Sequence, residues 1–493
     1  MGEASVWDHL TLTTTISRIV AIFYTLLLFA VALRVIMRRR DIGFSLAWLA
    51  LIMGIPLAGL VLYGLFGELK LGNRRAEQSR LMYRPYKSWL NAKTTQSNPE
   101  ATSLAAPIAN LVRFRTGMPY QQGNDLQLLT TPEQILGRIV DDIAAAQHEC
   151  LFEFYIWFNG GLVDKINQAL LDARARGVEC RILLDSVGSH EFLRSDWARR
   201  LKIAGVRLVE VLPVGTFRML FQRLDLRMHR KLVVIDQRVG YTGSMNMVDP
   251  HYFKQDAGVG QWVDVMVRLK GPTVRSMWMT LVWDWEMETS ERLLDPTHIM
   301  SVPQEAEIHE RQSWAQLIPS GPKFSDDMIP QVLLQAIYSA RHDICLTTPY
   351  FVPDESLAAA LKAVAERGVQ VEIIVPEQND SVMVKYASRA FMDDLIQAGV
   401  VIRQFSGGLL HTKSVLIDKK LVLIGTVNLD RRSFWLNFEV TLLVDDQRFT
   451  QKLTALHEQY RQQAEEIVLN RWRHRPFKER ILENIFYLLS PLL

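Results

Sequence analysis

Cysteine is scarce in this sequence of 493 residues, which contains Cys150, Cys180 and Cys345 and no other. Their number is odd, and none of the spacings matches a zinc knuckle. We therefore expect no metal site built on cysteine, and buried structural thiols are the predicted role. Such thiols say little about the cellular compartment.

An excess of charge of one sign is also missing, because 56 Lys and Arg face 53 Asp and Glu and leave a formal net charge of +3. So small a value does not indicate a nucleic-acid partner. A glycine loop of the Walker type is absent from the sequence, so no motif points to a bound nucleotide.

Long hydrophobic runs are present, and they concentrate at the N-terminus. Residues 19–33 form one uncharged run and residues 42–67 form a second, longer one. Each approaches or exceeds the ~20 apolar residues that cross a bilayer core as a helix. The sequence therefore predicts a transmembrane hairpin within residues 1–69, with helices at about 16–37 and 42–66.

A cleaved signal peptide is the weaker alternative, since residues 1–15 contain no Lys or Arg and a second run follows the first at once. The orientation of the hairpin stays open. Four arginines between positions 34 and 40 favour a cytoplasmic loop between the helices, but four basic residues between 70 and 80 favour the cytoplasm too. If the second helix crosses the bilayer, the two basic clusters lie on opposite sides and cannot both be cytoplasmic.

Beyond a polar linker at residues 94–100 the sequence repeats itself. CLFEFYIW from 150 corresponds to CLTTPYFV from 345, and residues 169–185 match residues 360–376. Each copy has the pattern of a buried strand, an amphipathic helix and another strand. This alternation predicts a duplicated α/β unit with a mixed or parallel sheet.

The predicted domains after the hairpin are a linker and juxtamembrane region, two α/β domains and a basic amphipathic C-terminal segment, at residues 70–124, 125–300, 301–468 and 469–493. In the last segment Phe477, Ile481 and Ile485 recur every fourth position, which favours a membrane-surface helix over a packing helix. An insertion in the first copy, between 216 and 231, is amphipathic too, and a core helix and an interfacial helix are equally expected there.

One short motif occurs in both copies, as HRKLVVID at 229–236 and HTKSVLID at 411–418. In each copy a glycine follows the aspartate by seven positions, and an asparagine follows that glycine by three. The histidine and the lysine, two residues apart at the start of a predicted strand, point to the same side. So close a match is not accidental.

The two motifs, with GSMN and GTVN behind them, resemble the paired HxKxxxxD motifs of the phospholipase D superfamily over about residues 125–465. The N-terminal runs, GSMNMVDPHYFKQDAGVGQW, TTPYFVPD and GTVNLDRRSFWLNFE make the whole chain similar to bacterial cardiolipin synthases of the two-motif, membrane-anchored type. The resemblance implies an α/β fold of duplicated phospholipase D-like domains. Their mixed sheets would pack about a pseudo-twofold axis, preceded by the transmembrane hairpin.

Phosphodiester exchange by a covalent route needs a nucleophile and, across the phosphorus, a proton donor for the leaving oxygen. Imidazole can do either task, because an unperturbed pKa of ~6.5 leaves both forms accessible. One ring cannot do both in the same step, which explains the duplication. The resemblance implies His229 as the neutral nucleophile and His411 as the protonated acid and later the base, and the reverse assignment stays open.

The phosphoryl oxygens need positive charge and hydrogen-bond donors around them. Lys231 and Lys413 are predicted to supply the charge, so no metal is expected. The predicted phosphate-binding donors are Ser244, Asn246, Thr426 and Asn428.

Four acidic residues complete the predicted site. By resemblance, Asp264 and Glu439 fix the orientation of the histidines. Asp236 and Asp418 belong to the motif and are kept in the predicted catalytic set, although their place at the far ends of their strands favours a structural role.

The resemblance implies that phosphatidylglycerol is both donor and acceptor, and that cardiolipin and glycerol form through a phosphohistidine intermediate. No cofactor is expected, because one phosphodiester is exchanged for another. A membrane phospholipase D hydrolase or a phosphatidylserine synthase would use the same residues, so both alternatives stay open. A catalytically silent scaffold is disfavoured by two intact motifs.

The predicted partners are phosphatidylglycerol, cardiolipin and the bilayer, and no nucleic acid. Because both half-sites lie in one chain, dimerisation is not needed for catalysis, although a homo-oligomer is left open. The predicted location is the bacterial cytoplasmic (inner) membrane, as a multi-pass protein.

Overall fold

A computed structural model describes residues 3–38, 42–67, 103–213, 225–293, 313–322 and 327–488. The amphipathic pattern predicted around residues 217–224 lies outside these ranges. The chain divides into two units, and residues 1–73 and 214–225 form the smaller one. The larger unit consists of residues 74–213 and 226–493.

Within the part of the smaller unit that the structure describes there are three helices, α1 Glu3–Met37, α2 Ile42–Gly54 and α3 Pro56–Phe66. Within α1, the apolar stretch Thr14–Met37 covers 24 residues. Among the described residues it is the one stretch long and apolar enough to cross a membrane. The first predicted membrane helix therefore has a counterpart in the structure.

The second predicted membrane helix, at about 42–66, is wrong as a single span. The helix breaks at Ile55, where φ is −133° and ψ is 73°. Pro56 is the physical cause, because a proline lacks an N–H and disfavours the helical conformation of the residue before it. At 13 and 11 residues, α2 and α3 are about 20 Å and about 16 Å long, well short of the ~30 Å hydrocarbon core.

After the break, α3 folds back along α2. The rings of Trp48 and Tyr63 lie 5.3 Å apart, edge to face, although the two positions would be ~22 Å apart on a straight helix. A Cβ atom on Gly59 would come within 2.7 Å of the Ile52 Cα, so glycine permits this close approach. Val35 of α1 joins Trp48, Ile52 and Tyr63 in one buried cluster.

The first element described in the larger unit is α4 Ala106–Thr116, and two copies of one arrangement follow it. The first copy consists of β1 Gln121–Leu129, α5 Pro132–Ala145, β2 Glu149–Phe154, α6 Leu162–Ala175, β3 Glu179–Asp185, α7 His190–Leu193, α8 Asp196–Ile203, β4 Arg207–Val211, β5 Leu232–Ile235, β6 Val239–Gly243, a 3₁₀ turn Gln255–Ala257, β7 Trp262–Val263, β8 Met266–Lys270 and α9 Thr273–Thr289.

The second copy consists of β9 Ser313–Ser320, α10 Met328–Ser339, β10 Asp343–Thr347, β11 Phe351–Val352, α11 Glu355–Glu366, β12 Gln370–Pro376, α12 Val382–Gln397, β13 Val401–Phe405, β14 Leu409–Leu410, β15 Ser414–Ile417, β16 Leu421–Gly425, β17 Leu429–Asp430, α13 Arg431–Trp435, β18 Glu439–Asp445, α14 Gln447–Gln462 and β19 Ala464–Glu466. Two helices follow it, α15 Leu469–Arg473 and α16 Phe477–Leu488.

The two copies share one mixed sheet of 15 strands, in the order β19-β13-β12-β10-β15-β16-β18-β9-β1-β8-β6-β5-β2-β3-β4. Strands β2, β3 and β4 run parallel, and so do β10, β12 and β13. The antiparallel pair β1 and β9 joins the copies at the centre. The predicted duplicated α/β fold with mixed sheets is confirmed, and the strands of the motif are buried on both faces, as helices on both sides require.

The C-terminal helix α16 packs on α12 and also keeps an apolar face exposed. Phe486 stacks on Tyr386 at 5.6 Å, which accounts for the packing side. Phe477, Ile481 and Ile485 are all exposed on the opposite side. This arrangement fits contact with a lipid surface, which stays a prediction.

Asp236 and Asp418 bind backbone N–H groups of neighbouring segments, and their place in the predicted catalytic set stays a prediction. Each follows its motif strand with a positive φ, 50° and 49°. The Asp236 carboxylate accepts the N–H groups of residues 147, 148 and 149, all at 2.8 Å. The Asp418 carboxylate accepts those of residues 341, 342 and 343 at 2.8 to 3.1 Å. Both aspartates thus anchor the start of the neighbouring strand, β2 or β10.

Replacing Asp418 by Ala should therefore lower stability by about 3 kcal/mol, because three backbone donors lose a charged acceptor. The matched control is Asp141→Ala, since Asp141 is 69% exposed and its ion pair with Arg138 is long, at 3.8 Å. Thermal unfolding of the purified protein in detergent would show a lower midpoint for Asp418→Ala alone. Equal midpoints for the two variants would contradict the anchoring role.

Candidate active site

Both motif histidines lie where one copy of the repeat meets the other. The short strands β14 and β7 pair in parallel, and the backbone N–H of His411 donates to the Val263 carbonyl at 2.9 Å. In the same way, the N–H of His229 donates to the Phe438 carbonyl at 2.9 Å. Each histidine is therefore held by backbone from the opposite copy.

The side chains of the histidines cross between the copies as well. Nδ1 of His229 lies 2.9 Å from Glu439 Oε2, and Nδ1 of His411 lies 2.7 Å from Asp264 Oδ1. The sequence predicted both carboxylates, but it did not predict that each serves the histidine of the other copy. An Nδ1–H that donates to a carboxylate leaves Nε2 with the free lone pair, the form that can attack phosphorus.

Ser244 and Thr426 support these carboxylates. The Ser244 hydroxyl donates to Asp264 at 2.6 Å, and the Thr426 hydroxyl donates to Glu439 at 2.5 Å. Both side chains are fully buried. The hydrogens of the two hydroxyls are thus engaged by the carboxylates, and the predicted phosphate-binding role of Ser244 and Thr426 stays a prediction.

The two lysines are buried beside the histidines. Lys231 Nζ donates to the His229 carbonyl at 2.9 Å, and Lys413 Nζ donates to the His411 carbonyl at 2.6 Å. Burial lowers the pKa of Lys231 to about 8 and that of Lys413 to about 7, although nearby carboxylates oppose the shift. At neutral pH Lys413 is therefore only partly protonated, and Lys231 is mostly protonated.

Burial also decides the protonation of the two rings. It lowers the pKa of both His229 and His411 to about 4, against the attraction of their carboxylates. Burial alone would raise the pKa of Asp264 and Glu439, but the histidines and lysines outweigh it, so both pKa values are lowered. We expected one neutral and one protonated ring. In the free site, both are neutral beside ionised carboxylates.

Asn246 and Asn428 occupy equivalent buried positions after the motif strands. The side-chain oxygen of Asn246 accepts the backbone N–H of Ile156 at 3.2 Å. This contact fixes the amide plane and leaves the NH₂ group as the donor. The backbone N–H of Asn428 donates to the Ser433 hydroxyl at 3.3 Å. Their predicted role as phosphate donors stays a prediction.

Sequence reasoning missed two aromatic rings beside the histidines. The ring of Tyr155 lies 5.1 Å from that of His229, and the ring of Trp262 lies 4.3 Å from that of His411. Both aromatic residues belong to segments quoted for the repeat or the family resemblance. The two residues could be read from the sequence, but their positions relative to the motifs did not indicate that their rings lie beside the imidazoles.

Two buried charges that position the histidine segment were missed as well. Asp185 accepts the backbone N–H of Met228 at 2.9 Å, immediately before His229. Arg230 donates through Nε to the backbone carbonyl of Glu439 at 3.1 Å and is ion-paired with Asp284. Asp185 ends the buried run ILLD, and a charge at the end of such a run is the signal that could have revealed it.

The chain matches two family models. The model described as "Cardiolipin synthase, PLD-like domain" matches residues 139–260 and 333–461, which contain both motifs. The model described as "Phospholipase_D-nuclease N-terminal" matches residues 26–68.

Similar proteins cover the whole chain. The chain is 47% identical over 490 residues to "Cardiolipin synthase A" of Yersinia pseudotuberculosis serotype O:1b (strain IP 31758). The alignment covers 98% of this chain and 100% of that protein. It is 47% identical over 489 residues, with the same coverage, to "Cardiolipin synthase A" of Serratia proteamaculans (strain 568).

Among solved structures, the phosphatidylserine synthase of Haemophilus influenzae Rd KW20 is similar, with a TM-score of 0.58 and 15% sequence identity. The likeness covers 78% of this chain and 100% of that one, and it supports the fold alone. With both motifs inside the matched regions and relatives aligned along the full length, the chain belongs to the cardiolipin synthase family with phospholipase D-like domains.

Proposed function

We propose that the protein is a phosphatidyltransferase that converts two molecules of phosphatidylglycerol into cardiolipin and glycerol. The observation that carries this proposal is the pair of crossed histidine–carboxylate contacts, His229 with Glu439 and His411 with Asp264. Two equivalent imidazoles suit a reaction in which one group attacks and the other handles the proton. Membership in the cardiolipin synthase family supports the lipid substrate.

In the first half-reaction, Nε2 of His229 attacks the phosphorus of the donor lipid. The bond between phosphorus and the glycerol oxygen breaks, and that oxygen takes a proton from His411. The products are free glycerol and a phosphatidyl group bonded to His229. Glu439 stabilises the positive charge that grows on the attacking ring.

In the second half-reaction, the terminal hydroxyl of another phosphatidylglycerol molecule attacks the phosphorus. His411 now takes the proton of this hydroxyl, and the bond between phosphorus and nitrogen breaks. Cardiolipin leaves, and both rings return to their starting state. The crossed contacts are equivalent, so the reverse assignment of His229 and His411 is compatible with the same chemistry.

The acid step needs a proton that the free site does not hold on either ring. A bound phosphodiester brings a negative charge next to His411 and Lys413, which favours the charged form of both groups. Because Lys413 has a pKa of about 7, substrate binding near neutral pH should be coupled to proton uptake. The negative charge of the bound phosphodiester also favours protonation of His411, which then serves as the general acid.

The protein is membrane-associated, as its family and its apolar helix α1 indicate. We place it in the bacterial cytoplasmic membrane, where phosphatidylglycerol would be presented at high local concentration. Because His229 and His411 come from one chain, a single copy contains the complete pair. A homo-oligomer is therefore not required for the reaction.

Products distinguish this reaction from its rivals. Purified protein incubated with vesicles of labelled phosphatidylglycerol should give cardiolipin and glycerol in equal amounts. Phosphatidic acid in place of cardiolipin would identify a hydrolase, and activity only with a nucleotide-activated lipid plus serine would identify a phosphatidylserine synthase. Either result would overturn the proposal.

The crossed contacts predict that Glu439→Gln and Asp264→Asn each lower kcat by about 10²- to 10⁴-fold, because the histidine partner loses the charge that fixes its tautomer. Glu372→Gln is the matched control. Glu372 is also a partly buried carboxylate, but it pairs with Arg403 and Arg461. We expect this control to lower the melting temperature and leave kcat within about twofold. A normal kcat in both site variants would contradict the orienting role.

The lowered lysine pKa values predict a pH-dependent affinity for oxyanions. Below pH 7 both ammonium groups are charged, and they lose their protons as the pH rises through about 7 for Lys413 and about 8 for Lys231. Sulfate, which does not titrate in this range, should therefore inhibit at least about tenfold more weakly at pH 9 than at pH 6. An inhibition constant that does not change with pH would show that the lysines keep ordinary pKa values.

A further inference from the structure

The helix pair α2–α3 has the form of an element that enters one side of a bilayer and returns. Its two helices run back along one another, and its apolar side chains are most exposed at the turn. Met53 is 77% exposed, Ile55 60% and Leu57 72%. Exposed apolar side chains at the tip of a helical hairpin suit immersion in hydrocarbon.

The backbone at the turn is compatible with that environment. The N–H of Ile55 donates to the Leu51 carbonyl at 3.0 Å, and the N–H of Gly59 donates to the Ile55 carbonyl at 2.7 Å. Pro56 has no N–H that would need a partner. The break therefore limits the number of open polar groups at the tip, which would otherwise be costly inside a membrane.

The basic residues conflict with two full crossings. Four arginines lie between positions 34 and 40, before α2, and four basic residues lie between 70 and 80, after α3. An element that crossed the bilayer between them would place one of the clusters outside the cytoplasm. Cytoplasmic segments next to membrane helices are enriched in Lys and Arg, so a second crossing contradicts one cluster or the other.

We propose that α1 crosses the membrane once and that α2–α3 is a re-entrant pair, which enters and leaves the cytoplasmic leaflet by the same face. Both basic clusters then lie in the cytoplasm. Residues 1–13, which contain no Lys or Arg, lie on the other side. The conflict between the clusters disappears because no membrane crossing separates them.

This topology places the catalytic copies on the cytoplasmic face. Residues 68–102 contain no long apolar run, and among the described residues after α3 no helix is long and apolar enough to cross a membrane. The site would then draw its lipids from the cytoplasmic leaflet. The inference rests on the helices and the charges, and it holds whichever lipid reaction the site performs.

Cysteine labelling of the full-length protein tests the sidedness. The three native cysteines are buried and free, and they would be replaced by Ala. Single reporters are Ser5→Cys, Asp41→Cys and Ser97→Cys, which keep all basic residues. A membrane-impermeant maleimide is applied to right-side-out and to inverted vesicles of a bacterial expression host.

The re-entrant topology predicts that the reporters at 41 and 97 react in inverted vesicles and are protected in right-side-out ones. The reporter at 5 should show the opposite pattern. Labelling of 41 and 97 from opposite faces would show that α2–α3 crosses the membrane. Labelling of both from the outer face would overturn the cytoplasmic placement of the site.

Crosslinking tests the fold of the pair independently of its orientation. With cysteines at positions 48 and 63, a reagent too short for the ~22 Å of a straight helix should join them, because the native rings lie 5.3 Å apart. Adding Gly59→Leu should abolish the crosslink, since a Cβ there meets the Ile52 backbone at 2.7 Å. Gly54→Ala is the control, because a Cβ at Gly54 meets nothing within 4 Å. A missing crosslink in the parent with reactive single cysteines would overturn the re-entrant pair.

Discussion

Each histidine of the site depends on a carboxylate from the opposite copy of the repeat. His229 is held by Glu439 and by the backbone of Phe438, and His411 is held by Asp264 and the backbone of Val263. Neither copy alone contains an oriented imidazole. The duplication is therefore a chemical requirement as well as a structural one, and the pairing of β7 with β14 joins the two copies next to His411 and Asp264.

Burial determines the protonation states of the ionisable groups in this site. Two neutral rings, two lysines with lowered pKa values and two ionised carboxylates are all removed from water. When both lysines are protonated, their charge balances that of Asp264 and Glu439. An arriving phosphodiester upsets the balance by one negative charge, and a proton is the natural compensation. In such a site His411 can be protonated in the substrate complex, although it is neutral in the free protein.

Much of the fold and of the site could be predicted from the sequence, and the features that could not be predicted have identifiable physical causes. The repeat, the motif and the carboxylates were visible because they recur at fixed spacings. The crossing of Asp264 to His411 depends on how β7 and β14 pair, which is a contact between distant segments. Ser244 and Thr426 were predicted as phosphate donors because a hydroxyl two residues before an asparagine has the right chemistry, and spacing did not reveal that Asp264 and Glu439 accept their hydrogens. In the membrane segment, hydropathy indicated a long apolar run, and it could not show that Pro56 lets α3 turn back along α2.

The central claim is that a phosphatidyl group passes through a histidine of the crossed pair. Rapid acid-free quenching during turnover of labelled phosphatidylglycerol, followed by mass spectrometry of the intact and digested protein, tests it most directly. The account predicts one phosphatidyl adduct on the peptide that contains His229, or under the reverse assignment His411, and loss of both adduct and turnover when that histidine becomes Asn. Full single-turnover formation of product with no label on either histidine would contradict it.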